Sequence, residues 1–188
     1  LEGWRFGDDA APINLAPLRK LSRLRSLVVD DGRHVTDWTP LAGTPHLRSL
    51  ATDVTAKSAP SMPELPELVA YATRWSDATT DVAFVARFPR LRTLNVHASP
   101  VVDLTPIGGL AHLEHVVADR SGVAMLPDGA LPALRRLEIF GHALDDGALA
   151  TFRTAHPACD VRSSYRERVR EAVAAAVRVH VEGKDAQQ

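Results

Sequence analysis

The stretch LRTLNVHASPVVDLTPIGGLAHLEHV, residues 91–116, begins and ends on nearly the same pattern: a leucine, two variable residues, then an apolar residue. The same six-residue frame occurs seven times, starting at residues 1, 24, 47, 68, 91, 113 and 134. Its fourth position, the strand anchor, is apolar or aromatic every time: Trp4, Leu27, Leu50, Tyr71, Leu94, Val116 and Leu137. A period near 22 residues held over seven copies predicts a stack of similar units.

Each frame alternates inward and outward residues as a short strand does. We therefore expect strands near residues 1–6, 24–29, 47–52, 68–73, 91–96, 113–118 and 134–139.

The second half of several units carries a turn signal. A side chain suited to cap a short helix by accepting a backbone N–H stands at Asn14, Asp37, Asp81 and Asp103. Prolines suited to a first helical turn, where no donor is needed, follow at Pro17, Pro40 and Pro106. These turns are expected to pack inward through three apolar pairs: Leu18 with Leu21, Val85 with Phe88, and Ile107 with Leu110.

Together these features resemble bacterial leucine-rich repeat proteins, and the D-x-x-P-L turns are similar to the internalin-like subclass with about 22 residues per repeat. The resemblance covers residues 1–161 and implies an α/β solenoid. About seven parallel strands line its concave face, short helices or turns lie on the convex side, and residues 162–188 form a helical cap and tail. The chain departs from the family where a ladder asparagine is usual, five residues after the anchor. There it has Asp9, Gly32, Thr55, Ser76, Ser99, Ser121 and His142.

The two ends of the predicted solenoid differ. Near the C-terminus, Leu144, Leu149 and Phe152 line a longer helix that Pro157 ends, and a last short strand follows at Cys159 and Val161. Residues 165–181 then form a helix with one apolar stripe, interpreted as a lid on the core or, alternatively, as a docking helix for a partner.

The first frame, residues 1–6, has no cap before it, and the chain opens on leucine rather than methionine. We therefore expect a trimmed or processed piece, and its first strand edge is expected to be either trimmed or satisfied by another molecule.

The residues beside each anchor are predicted to form a concave binding face. Its small central residues lie between a largely basic border and a largely acidic one. The candidate protein-binding residues are Arg25, Val28, Asp30, Arg48, Ala51, Asp53, Arg74, Trp75, Asn95, His97, Val117 and Asp119. The border charges are either a solvated face or a dipolar trough that orients a partner. Trp75 is either an exposed anchor for that partner or buried in its irregular repeat.

The histidines do not predict a metal site. His97, His115 and Asp119 come closest, and His97 and Asp119 share a column, but His115 lies at the other end of its strand. No motif for nucleophilic catalysis, phosphate binding or metal-dependent hydrolysis is present. Cys159, the single cysteine, is interpreted as buried packing.

Composition narrows the class of protein further. A formal net charge of −1 gives no bulk attraction to nucleic acid or membranes, and no apolar run is long enough to span a bilayer. The arginines after residue 161 alternate with glutamates, as in ordinary surface pairing. The single cysteine fits a reducing compartment, so we expect a cytoplasmic protein, and the Ala, Arg and Val bias fits a bacterial source.

We therefore predict a non-catalytic protein-binding module, such as an adaptor, a sensor subdomain or a neutraliser of a protein partner. No cofactor, metal, nucleic acid, membrane or small-molecule substrate is expected. The alternative is a structural or assembly protein that self-associates through the uncapped N-terminal edge or the C-terminal helix.

Overall fold

The computed structural model describes residues 11–73 and 77–163. In this part of the chain, seven strands form one sheet in the order β1 to β7, and every neighbouring pair is parallel. The strands are β1 (Ser26–Val29), β2 (Ser49–Thr52), β3 (Ala70–Ala72), β4 (Thr93–Asn95), β5 (His115–Val117), β6 (Arg136–Glu138) and β7 (Asp160–Arg162). The chain therefore adds one strand per turn and never reverses within the sheet, which makes it a solenoid.

The register of the sheet aligns the anchors in a single row. The paired residues run Leu27, Leu50, Tyr71, Leu94, Val116, Leu137 and Val161 from strand to strand. All the inner anchors, from Leu50 to Leu137, are buried, whereas Leu27 and Val161 are half-buried. A terminal anchor has a described neighbour on one side only, so less of its surface is covered.

The predicted fold class is confirmed, because six strands lie inside the ranges expected from the repeat and all are parallel. The seventh, β7, is the short last strand expected around Val161. The expected strand at 1–6 and the expected helix at 165–181 lie outside the described residues, so both stay predictions.

Each strand is short because the chain turns away four residues after the anchor. At that position the backbone is left-handed in four repeats, with φ of 56° at Asp31, 54° at Ala98, 58° at Arg120 and 76° at Gly141. Glycine adopts this conformation freely and aspartate tolerates it, but the Cβ of Ala98 and the side chain of Arg120 are strained there. The left-handed residue redirects the chain from the sheet towards the convex side.

The convex side is built from short 3-10 helices. They are η1 (Ala16–Lys20), η2 (Gly32–His34), η3 (Thr39–Gly43), η4 (Ala59–Ser61), η5 (Ala83–Arg87) and η6 (Thr105–Ile107). The predicted capping side chains are used in four of them, where Asn14, Asp37, Asp81 and Asp103 each accept a hydrogen bond from the backbone N–H two residues later, at 2.7 to 2.9 Å. This bond satisfies a donor that the start of a helix otherwise leaves unpaired.

Two of the three predicted inward pairs are buried, Val85 with Phe88 and Ile107 with Leu110. In the first repeat, Leu18 is half-buried and packs against the core, whereas the prediction for Leu21 is wrong, because it is 46% exposed. η1 packs against η3 on one side, and no described repeat covers its other side. The repeat at the edge of the described stack therefore keeps the sequence pattern with less burial.

Hydroxyl groups replace the usual asparagine ladder. Ser121 donates to the Val96 carbonyl at 2.8 Å, and Ser99 lies 2.8 Å from the Thr73 hydroxyl. Between β2 and β3 the phenol of Tyr71 donates to the Thr52 carbonyl at 2.8 Å. Each of these bonds joins one repeat to the next, so they hold the stacking distance between turns.

The C-terminal unit ends in a longer helix, as expected. α1 (Asp146–Ala155) is capped by Asp145, whose side chain accepts from the Ala148 N–H at 2.6 Å. Leu149 and Phe152 on this helix are buried, and Leu144 lies just before it, half-buried. No described helix is both long and apolar enough to cross a membrane.

The strain at Ala98 is testable with a glycine substitution. We expect Ala98→Gly to raise the free energy of unfolding by about 0.5–1 kcal/mol, because glycine removes the left-handed penalty of a Cβ. Urea denaturation measures the change. Ala86→Gly, an exposed site inside η5, is the matched control and should lower stability by a similar amount. Equal losses in both variants would contradict the strain at residue 98.

The capping role of Asp103 gives a second stability prediction. Asp103→Ala removes the acceptor for the Thr105 N–H and should cost about 1 kcal/mol. Asp128→Ala is the control, since this exposed aspartate caps no helix within the described residues, and it should leave the denaturation midpoint almost unchanged.

Candidate functional site

The floor of the concave face consists of the strand residues on either side of each anchor. In the central strands these residues are small: Ser49 and Ala51 in β2, Ala70 and Ala72 in β3, and Thr93 and Asn95 in β4. All six are partly exposed, because alternation along a strand points them away from the core. A floor without large side chains lets a partner approach the sheet closely.

Nine of the predicted site residues lie where the repeat places them. Val28, Ala51, Asn95 and Val117 belong to the floor, and Val28 is 54% exposed. Arg25 and Arg48 lie exposed directly before their strands. Asp30, His97 and Asp119 follow the other ends of their strands. Arg74 and Trp75 lie outside the described residues, so their roles stay predictions.

Asp53 corrects one expectation, since it is only 3% exposed and does not lie on the open face. β2 ends at Thr52, and the next two residues turn inward with it. The backbone of the preceding repeat passes close by at Gly32. A Cβ added at Gly32 would collide with the Thr52 hydroxyl and the Asp53 carbonyl. Alternation therefore fails at this position, where the strand has already ended.

The buried Asp53 carboxylate acts on the core instead. It lies near the phenol of Tyr71, whose pKa is raised well above its ordinary value, first by burial and then by the negative charge of Asp53. Both effects disfavour the phenolate. Tyr71 is therefore held as a neutral hydrogen-bond donor to the Thr52 carbonyl.

His97 and Asp119 meet across neighbouring repeats, as their shared column suggests. His97 Nδ1 lies 3.3 Å from Asp119 Oδ2, and their side chains are 21% and 14% exposed. His115 is in register with Thr93 and Arg136 towards the other end of the strands. Among the described residues, no group of three or more metal-ligating side chains converges.

The basic border is partly neutralised by carboxylates of the following repeats. Arg92 Nη1 lies 3.1 Å from Glu114 Oε1, and Arg48 Nε lies 3.7 Å from Glu67 Oε2. The hydrogen bond with His46 lowers the pKa of Glu67, and the charges of His46, Arg48 and Arg90 lower it further. Solvent screens exposed pairs of this kind, so a partner can exchange them.

A column next to this border was missed in the sequence analysis. Four residues before the successive anchors stand Arg23, His46, Glu67, Arg90 and His112, all titratable. In the structure they line open grooves together with Arg25, Arg48 and Arg92. The signal was available in the repeat, but these residues precede the predicted strands and were not counted as part of the face.

Cys159 differs in detail from its prediction. It is half-buried, directly before β7, and packs against the core. Burial, followed by the charge of Asp160, raises the pKa of its thiol to about 11. The thiol therefore stays protonated and weakly nucleophilic at neutral pH.

A parallel sheet that gains one short strand every 21 to 24 residues, with its anchors in one row and short helices outside, is the architecture of a leucine-rich repeat solenoid. The chain has this fold, and the fold class predicted from its repeat is confirmed.

No protein-family model and no curated protein sequence matches the chain. Among solved structures, it is similar to an internalin from Listeria monocytogenes, with 16% identity and a TM-score of 0.42, over 80% of this chain and 59% of that one. It is also similar to a leucine-rich repeat protein from Leptospira interrogans, with 15% identity and a TM-score of 0.39, over 80% of this chain and 51% of that one. The chain thus covers less than two thirds of either protein.

The environment of Tyr71 predicts a pH dependence of stability. At pH 7, Tyr71→Phe should cost about 1 kcal/mol, because the Thr52 carbonyl loses its donor. Above pH 10, tyrosine ionises in the unfolded wild-type chain but not in the fold, so wild-type stability should fall by about 1.4 kcal/mol per pH unit relative to the variant.

Urea denaturation of both proteins between pH 7 and 11.5 measures the difference. Ionisation of the Cys159 thiol changes the stability of both proteins equally, so it does not affect the difference between them. The wild-type advantage should shrink and then reverse, whereas a constant advantage would contradict a raised pKa at Tyr71.

Proposed function

We propose that this chain is a non-catalytic module that binds another protein through the concave face of its sheet. The observation that carries the proposal is the open floor of small side chains, which extends across several parallel strands at a regular spacing. The backbone beneath it is held rigidly by the buried anchors, so the face is formed before a partner arrives.

The composition of the floor supports a protein partner. Ala51, Ala72 and Val117 offer apolar area, and Val28 adds an exposed valine near one end. Ser49, Thr93 and Asn95 offer hydrogen-bonding groups between them. A mixture of apolar contact and scattered polar groups is typical of protein interfaces.

The borders of the face carry opposite charge. Arg25 and Arg48 lie at one end of the strands, and Asp30 and Asp119 lie at the other. Complementary borders of this kind orient a partner and speed its association more than they add affinity. A face of this kind suits an adaptor, a sensor subdomain or a neutraliser of a protein partner. We also propose a cytoplasmic location.

The assembly alternative uses residues 1–6 and 165–181, which lie outside the described residues. It stays a prediction, and light scattering tests it directly: a concentration-independent monomer would contradict it.

The concave face is tested with two variants that add the same charge and similar bulk. Ala51→Arg with Val117→Arg places two arginines on the floor, and Ala42→Arg with Ala86→Arg places two on exposed convex positions. After cross-linking and affinity capture, we expect the partners of the wild-type chain to be lost with the concave variant and kept with the convex one. Equal recovery by both, with unchanged circular dichroism, would show that binding uses another surface.

A further inference from the structure

Exposed arginines gather where strands β1, β2 and β4 begin. This arginine edge consists of Arg23, Arg25, Arg48, Arg90 and Arg92. The five residues line two adjoining open grooves that share Arg48 and Glu67. With His112 at its far end, the edge reaches the fifth strand. At about 4.8 Å between strands it is about 20 Å long, which matches about six residues of extended peptide.

The edge has more positive charge than its own carboxylates neutralise. Glu67 pairs with His46 and Arg48, and Glu114 pairs with Arg92. Within the described part of the chain, Arg23, Arg25 and Arg90 have no carboxylate within ion-pair distance. Arginines stacked on neighbouring strands repel one another unless an anion lies between them.

We propose that the arginine edge binds an extended acidic segment of the partner protein. This inference deepens the proposed function, because it names the chemistry of the partner at one border of the same face. Guanidinium groups bind carboxylates through two parallel hydrogen bonds, and partner carboxylates would take the place that Glu67 holds beside Arg48. Glu67 is thus an internal competitor for the site.

The structure favours an acidic peptide over nucleic acid. Glu67 and Glu114 within the edge, and the aspartates at the opposite border, would repel a long polyanion that extends across the face. Neither groove is lined by a described Phe, Tyr or Trp on which bases could stack. The net charge of the whole chain, −1, adds no general attraction.

Fluorescence anisotropy with defined probes tests the proposal on the full chain. The probes are a labelled peptide of about eight residues with alternating glutamate and serine, the same peptide with glutamine for glutamate, and a labelled oligothymidylate. We expect the glutamate peptide to bind, the glutamine peptide to bind at least about tenfold more weakly, and added salt to weaken binding.

Three variants locate the site. Arg25→Glu with Arg90→Glu should weaken binding of the glutamate peptide about tenfold. Lys57→Glu with Arg120→Glu makes the same change in net charge at exposed positions after the strands and should leave binding nearly unchanged. Glu67→Gln should tighten binding about threefold, because it removes the internal competitor. A gain of affinity cannot come from misfolding.

Several outcomes would overturn the proposal. Equal weakening by both double variants would show a response to net charge alone, and equal binding of the glutamate and glutamine peptides would remove the role of carboxylates. Tighter binding of the oligothymidylate, lost with Arg25→Glu and Arg90→Glu, would assign the edge to nucleic acid. If the peptide fails while the concave variant still loses its partners, the proposed function stands and only this inference falls.

Discussion

Each strand anchor in the described part of the solenoid is covered by the turns beside it, because a single turn is too small to enclose its own anchor. Leu50, Tyr71, Leu94 and Val116 are buried because each has a neighbour on both sides, whereas Leu27 is half-buried at the edge of the described sheet. Burial of a leucine-sized side chain is worth about 1.5–3 kcal/mol. The stacked row of anchors therefore supplies the cohesion on which the binding face depends.

The same stacking determines the electrostatics of the face. Residues that share a position in the repeat lie one strand spacing apart, so their charges act on each other whatever their distance in sequence. This brings Arg92 to Glu114 and His97 to Asp119, and it leaves Arg25 beside Arg48. The face therefore combines neutralised pairs with a concentrated positive edge, and the second of these suits an acidic partner.

Positions where one repeat resembles the next are predicted correctly from the sequence, whereas positions in an unusual environment are not. The anchors and the capping aspartates follow from spacing alone. Asp53 was assigned to the open face because alternation was continued past the end of β2, and Leu21 was assigned to the core although its repeat lies at the end of the described stack. The column with Arg90 and Glu67 was missed because it precedes the strands.

By itself, the sequence determined the period, the strand anchors, the capping turns and the parallel order of the strands, because these depend on local residue spacing and on the need of each unit to bury its leucines. Only the tertiary structure decided which charged side chains are paired, which carboxylate is buried and how two columns join into one groove. Those outcomes depend on distances between residues about 22 positions apart, and these distances are set by the stacking of whole turns.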